Sequence, residues 1–299
     1  MRLNGLSAFP ITPSDPAGKV DVAAFRSLVA HLCAAEVDSI GVLGSTGSYP
    51  YLTRGERRRA LEAALEETGG RTPVIVGVGA LRTDEAVALA QDARAAGADA
   101  GLLAPVSYTP LTDDEVYEHF AVVARESGLP LCIYDNPGVT HFRFTAELIG
   151  RLSRVPGVVA VKSPAPAQDV VRQGLAELRS VTSAGFSIGY SGDWNAVEAL
   201  IAGGEAWYSV AGGLFPRTAM MIVRAIRAGD AAEARRLNAR LEPLWSLFRE
   251  YSSLRVMYAS AGLLGLTSAE PPRPVLPLVG AARAKVAEVL TALGLDAGS

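Results

Sequence analysis

Val158-Val159-Ala160-Val161-Lys162-Ser163-Pro164 is a β-branched apolar run that ends on an ammonium group and is halted by proline. A short apolar run bounded by turn residues reads as a buried strand, with a buried helix segment as the alternative that periodicity leaves open. Lys162 is one of three lysines, with Lys19 and Lys285, in a chain that otherwise takes its positive charge from arginine. A lysine at the mouth of a buried strand loses hydration, which favours the free, nucleophilic amine. Schiff-base chemistry on a ketone or aldehyde requires such an amine. The other use of the position is a lysine whose stem packs on apolar neighbours while its head snorkels to water. The stretch alone is compatible with both.

On either side of it, strand and helix signals alternate. Leu6 to Ile11 is a strand stopped by Thr12-Pro13, and Asp21 caps a helix through about Ala35. Ser39 to Leu43 is a strand that runs into Gly44-Ser45-Thr46-Gly47-Ser48. Thr53 caps the next helix, to about Thr68, with Glu56 at capping-box spacing. Strands follow at Pro73–Gly79, Ala100–Ala104 and Leu131–Tyr134, with helices at Thr83–Ala96, Thr112–Ser127 and Thr145–Arg154. Beyond Lys162 come a helix at Gln168–Leu178, a strand at Ser187–Ser191, a helix at Asn195–Ala202, a strand at Ala206–Val210 and a helix at Pro216–Ala228. About eight such repeats imply a closed parallel (β/α)8 barrel, the TIM-barrel architecture, rather than an open sheet. Residues 1–229 are expected to form the barrel and residues 230–299 a C-terminal helical extension. That extension reads as helices at Asp230–Phe248, Ser252–Leu264 and Val279–Leu293.

Composition narrows the function classes. Nearly half the residues are apolar and a fifth are charged, as in a globular protein with a substantial core. A formal net charge of −3 gives no electrostatic basis for a nucleic-acid or anionic-membrane partner. No apolar run approaches the roughly 18 to 20 residues of a membrane span. Met1-Arg2-Leu3-Asn4-Gly5 lacks the apolar core of a secretory signal. Cys33 and Cys132 are too few for a disulfide framework and sit in apolar stretches, as buried thiols do. A cytoplasmic, reducing setting is expected.

In such a barrel the active site lies on the loops that follow the strands. Ser45-Thr46-Gly47 presents two hydroxyls and backbone N–H groups that could cradle a carboxylate, or could form an ordinary turn. Tyr108 follows the fourth strand and Tyr134 ends the fifth; each could relay protons or simply pack. Ser191-Gly192-Asp193 and Ser209-Val210-Ala211 close the last strands with small residues that leave room for a ligand. His31 and His119 fall inside helices and His141 in a loop, none at metal-ligand spacing, and Asp135 with Asp193 makes a weak metal case. No nucleophile elbow or lysine-bearing phosphate loop is present.

At Gly44-Ser45-Thr46-Gly47, Ile133-Tyr134-Asp135-Asn136-Pro137, Val161-Lys162 and Ser191-Gly192-Asp193 the sequence resembles the dihydrodipicolinate synthase/N-acetylneuraminate lyase family of class I aldolases and dehydratases. The likeness covers nearly the whole chain, and four motifs in order make it specific. It implies that Lys162 forms an imine with pyruvate or another 2-oxo acid, while Tyr134 shuttles protons. It implies that Ser45 and Tyr108 extend the relay, Tyr108 from a neighbouring subunit, and that Thr46, Gly47 and nearby N–H groups hold the carboxylate. Gly192 would lie beside the ligand, and Tyr208 stands where an aliphatic residue often backs it. The resemblance also implies a homotetramer built as a dimer of dimers. No cofactor is implied, since the lysine supplies the electron sink.

The departures bear on substrate. Where dihydrodipicolinate synthases carry an arginine that binds the aldehyde substrate's carboxylate, this sequence has Val139, which cannot form a bidentate pair. Ser48 replaces a frequent glutamate, and Ser163-Pro164 replaces the pairs that follow the lysine in other branches. The loop Pro105 to Thr112 differs in length, leaving open whether Tyr108 or Ser107 faces the site. The expected function is a Schiff-base lyase, aldolase or dehydratase, acting on pyruvate or a 2-oxo sugar acid. The alternatives are a 4-hydroxy-tetrahydrodipicolinate synthase using another carboxylate anchor, and a catalytically silent barrel that binds 2-oxo acids.

Overall fold

In the computed structural model, which describes residues 3–299, eight parallel strands close a barrel in the sequential order β1 to β8. Met1 and Arg2, which open the segment read above as lacking a signal, lie outside the described residues. The strands are β1 (Gly5–Ala8), β2 (Ser39–Val42), β3 (Val74–Gly77), β4 (Ala100–Leu103), β5 (Leu131–Tyr134), β6 (Val158–Pro164), β7 (Ser187–Ser191) and β8 (Ala206–Ser209). β1 to β5 and β8 are buried at every residue. Strands covered on both faces need no polar alternation, which is why they appear in the sequence as short continuous apolar runs.

The connecting helices are α1 (Val22–Ala34), α2 (Arg54–Thr68), α3 (Thr83–Ala96), α4 (Asp113–Ser127), the single turn α5 (Pro137–Thr140), α6 (Ala146–Leu152), α7 (Val171–Val181), α8 (Asp193–Ile201) and α9 (Pro216–Arg227). Four C-terminal helices follow: α10 (Ala231–Arg240), α11 (Glu242–Tyr251), α12 (Ser253–Leu263) and α13 (Gly280–Leu293). The expected (β/α)8 barrel with C-terminal helices is therefore what forms. Among the described residues no helix is long and apolar enough to cross a membrane.

Local chemistry sets the helix starts. Asp21 accepts from Ala24 N at 3.0 Å, and Thr112 and Glu115 form a reciprocal capping box. At α2 only half of the expected box forms. Thr53 accepts from Glu56 N, but the Glu56 carboxylate turns away to accept from Val20 N at 2.7 Å and to pair with Arg59. The orphan N–H of Val20 outcompetes the cap. The helix expected over Asp230–Phe248 is two helices joined at Leu241. Pro243 causes the break: it has no N–H to donate and its ring crowds the preceding turn, so it sits in the first turn of a new helix.

The chain forms two compact units, one of the described residues up to Gly5 with Pro73–Tyr208, the other of Leu6–Thr72 with Ser209–Ser299. Both use the same device where strands begin. The acid just before β2, Asp38, accepts from Leu6 N at 2.7 Å, and its own N–H donates to Leu6 O. Asp99 and Val74 repeat the exchange before β4, as do Glu205 and Ile188 before β8. Each carboxylate thus satisfies a strand-start N–H and fixes the stagger of two strands. Asp38 also pairs with Arg227 at 2.6 Å. Replacing Asp38 with alanine leaves the buried Leu6 N–H without an acceptor. Urea unfolding should show a loss of about 1–3 kcal/mol, with Asp38→Asn losing less because it keeps an acceptor oxygen.

Candidate active site

In the first unit the β5–β6 register places Tyr134 opposite Lys162. Side chains alternate along a strand, so Cys132 and Tyr134 share one face of β5. Lys162 Nζ lies 4.4 Å from the centroid of the Tyr134 ring and 5.7 Å from that of Tyr208, both within reach of a cation–π contact. Lys162 is only 4 % exposed, so its head is not carried out to water as a snorkelling lysine's would be. Asn136 Nδ2 donates to Tyr134 Oη at 3.0 Å and fixes the phenol from the loop that follows it.

Tyr208, in β8, is fully enclosed, and glycine makes the room for it. A Cβ on Gly189, the β7 residue paired with Lys162, would lie 2.5 Å from the Tyr208 ring. Tyr208 Oη and Cys132 Sγ are 3.6 Å apart. Burial pushes the Cys132 thiol up to about 12 and the Tyr208 phenol well above its ordinary value. Both keep their protons at neutral pH, so the wall beside the amine is uncharged.

On the opposite face of the same two strands, Asp135 and Ser163 sit behind the Tyr134–Lys162 pair. Asp135 N donates to Lys162 O at 3.0 Å. Burial raises the Asp135 carboxyl to about 6, against the easing effects of the nearby Ser163 hydroxyl, Phe144 N–H and Arg143. Asp135 Oδ1 and Ser163 Oγ both lack a partner of good hydrogen-bond geometry. Gly192 adopts φ +82 after β7 and opens α8. Asp193 is buried and accepts from Trp207 Nε1 at 2.7 Å, a structural tie between α8 and β8.

The second unit carries the turn after β2. Gly41 and Gly44 lie against Phe9, so closely that added Cβ atoms would stand 2.2 and 2.7 Å from its ring. A Cβ on Gly47 would meet Leu43 Cα at 2.9 Å. Leu43 and Ser48 bracket the turn in the left-handed conformation, each at φ +56. Thr46 is buried and Ser45 half-buried. The turn is compact because three glycines let backbone and ring approach.

The structure thus gathers Lys162, Tyr134 and Tyr208, with Gly192 at the end of the neighbouring β7, and shows Ser45, Thr46 and Gly47 as one tight turn. Tyr108 and Val139 are not gathered: they are 99 % and 61 % exposed. Ser107 is half-buried, its hydroxyl donating to the Thr109 carbonyl. Among the described residues no three His, Cys, Asp or Glu converge as metal ligands. His119 is buried beside Thr83 and held down to about 4 by burial.

The family model for the dihydrodipicolinate synthetase family matches residues 2–293. The chain belongs to the dihydrodipicolinate synthetase family. It is 36 % identical over 250 residues to a 4-hydroxy-tetrahydrodipicolinate synthase of Methylococcus capsulatus, covering 83 % of this chain and 84 % of that one. A protein of the same name from Alcanivorax borkumensis is 34 % identical, with coverage of 95 % and 96 %. The crystal structure of a dihydrodipicolinate synthase from Agrobacterium tumefaciens superposes with a TM-score of 0.95 at 58 % identity, over 98 % of both chains. The protein is accordingly an aldolase-type lyase that works through a Schiff base.

Sequence reasoning missed Cys132 and Gly189 as site neighbours, and left Asp135 and Asn136 without roles. Alternation from Tyr134 would have pointed to Cys132. Gly189 needs the strand register. The raised carboxyl of Asp135 has a consequence for stability. The folded state holds this proton more tightly than the unfolded chain, so the contribution is full below about pH 4 and is lost as pH rises through about 6. Urea titrations from pH 4 to 8 should show Asp135→Asn gaining stability relative to the parent across that window.

Proposed function

We propose that the Lys162 amine attacks the C2 carbonyl of pyruvate or a related 2-oxo acid. The observation that carries this is an enclosed amine bracketed by two phenol rings, Tyr134 at 4.4 Å and Tyr208 at 5.7 Å. Attack gives a carbinolamine, and loss of water gives an iminium. The iminium withdraws electrons from C3, so C3 can release a proton to form an enamine, or a C–C or C–O bond beyond it can break. Tyr134, oriented by Asn136, hands a proton to the departing hydroxyl and later to or from the substrate oxygen, a step worth about 10²–10⁴ in rate. The Ser45-Thr46-Gly47 turn would hold the carboxylate through its N–H groups and the Thr46 hydroxyl, with Ser45 extending the relay. Gly192 leaves space beside the ligand, and Tyr208 walls the methyl side with a neutral surface.

Tyr108, exposed in the single chain, would serve the site of a second copy, within a homotetramer assembled as a dimer of dimers. Two unpaired cysteines accord with a reducing cytoplasmic setting. The second substrate would make no carboxylate contact at Val139, which favours a 2-oxo sugar acid as substrate or product. The names of the relatives favour a second reading, condensation of pyruvate with aspartate semialdehyde, which would need another anchor.

Borohydride reduction in the presence of pyruvate should leave one adduct, mapped to Lys162 by peptide mass, and none in Lys162→Ala. An adduct only with longer 2-oxo acids would assign a selective dehydratase or aldolase. Failure with every 2-oxo acid would leave a silent barrel. Rates with aspartate semialdehyde against 2-oxo sugar acids then separate the two partner classes.

A further inference from the structure

The turn after β2 is strained and is held from outside itself. Ser48 is 1 % exposed and adopts φ +56, a conformation that residues with side chains keep only where their surroundings fix it. Within the turn, Ser48 N donates to Ser45 O at 3.1 Å and Tyr51 N to Ser48 O at 3.0 Å. Phe9 supports it at Gly41 and Gly44. The remaining support comes from far along the sequence. Tyr258, in α12, is 3 % exposed and donates its hydroxyl to Thr12 O at 3.1 Å. The polar neighbour on its other side is the Ser48 hydroxyl, which eases ionisation of the phenol without itself meeting hydrogen-bond geometry. Burial nevertheless pushes Tyr258 up to about 12, so it remains a donor throughout the neutral range.

We infer that Tyr258 is a positioning residue for substrate carboxylate binding: it braces the Ser45-Thr46-Gly47 turn against the loop after β1. The inference rests on the proposal that this turn is the carboxylate cradle. Tyr258 touches no substrate atom. It links the Thr12 carbonyl to Ser48, one residue beyond Gly47, and so gives the C-terminal helices a part in substrate affinity. Without the hydroxyl, the buried Thr12 carbonyl loses its donor and Ser48 loses its polar neighbour. The backbone N–H groups of the turn are then less well preorganised for an anion.

The test is pyruvate trapping by borohydride in the full chain, giving a half-saturation concentration and a maximal rate, alongside the thermal midpoint. Tyr258→Phe should raise half-saturation about three- to tenfold, the change that one lost hydrogen bond corresponds to, with the maximal rate within about twofold. Ser48→Ala should move half-saturation in the same direction, and it carries the test if Tyr258→Phe does not fold. Thr46→Val separates the two levels. If Thr46→Val raises half-saturation and Tyr258→Phe and Ser48→Ala do not, the brace is wrong and the cradle stands. A lowered thermal midpoint with unchanged half-saturation makes Tyr258 merely structural and overturns the inference. If Thr46→Val also has no effect, the cradle itself fails.

Discussion

The pairing of β5 with β6 in one register decides what this barrel can do. A parallel ladder that sets Tyr134 opposite Lys162 turns both side chains to one face and sends Asp135 and Ser163 to the other. A slip of one residue would exchange the two sets, because the side-chain period of a strand is two. The buried amine would then be exchanged for a serine, and the phenol for a carboxyl. The ladder itself carries an irregularity between Leu131 and Cys132, so the register at the functional end is set after that point. The continued exchange of Asp135 N with Lys162 O carries the pairing one residue past Tyr134.

Around the amine, the chain limits charge. Cys132 and Tyr208 touch each other and remain protonated, so neither offers an anion to lock Lys162 into an ion pair. The aromatic faces instead stabilise a cation by their quadrupoles, which act on an ammonium and on a protonated imine alike. A carboxylate in that place would favour the charged amine over the free base that attacks a carbonyl. Asp135, the carboxyl nearest in sequence, is held on the far side of the sheet.

Much of the fold was legible because buried parallel strands and capped helices leave local marks. Eight apolar runs, each closed by a turn, were enough to imply the closed barrel. The errors were local competitions. Glu56 prefers Val20 N to its own cap, and Pro243 divides a helix whose composition looks continuous. Lys162, Tyr134 and the Ser45-Thr46-Gly47 turn were visible as polar residues at strand ends. Gly189 was not, since its role is to yield space to Tyr208, which lies 19 residues further along the chain and in the next strand. Packing complementarity of that kind has no sequence period. Tyr108 was legible as a candidate, yet its exposure means that one chain alone gives it nothing to act on.

The C-terminal helices show how a segment without strands can still matter to strand-end chemistry. A tight turn such as Gly44–Ser48 gains compactness from glycine, and glycine also gives it freedom to open. Holding it therefore needs contacts that glycine cannot make: a ring beneath, from Phe9, and a hydroxyl behind, from Tyr258. The second contact reaches Thr12 from 246 residues away. A contact so distant in sequence forms only when the last helices have docked, which ties the order of the turn to completion of that unit. Helices appended after the eighth repeat of a barrel then have a physical reason to be retained: they finish a loop that the barrel's own short connections leave strained.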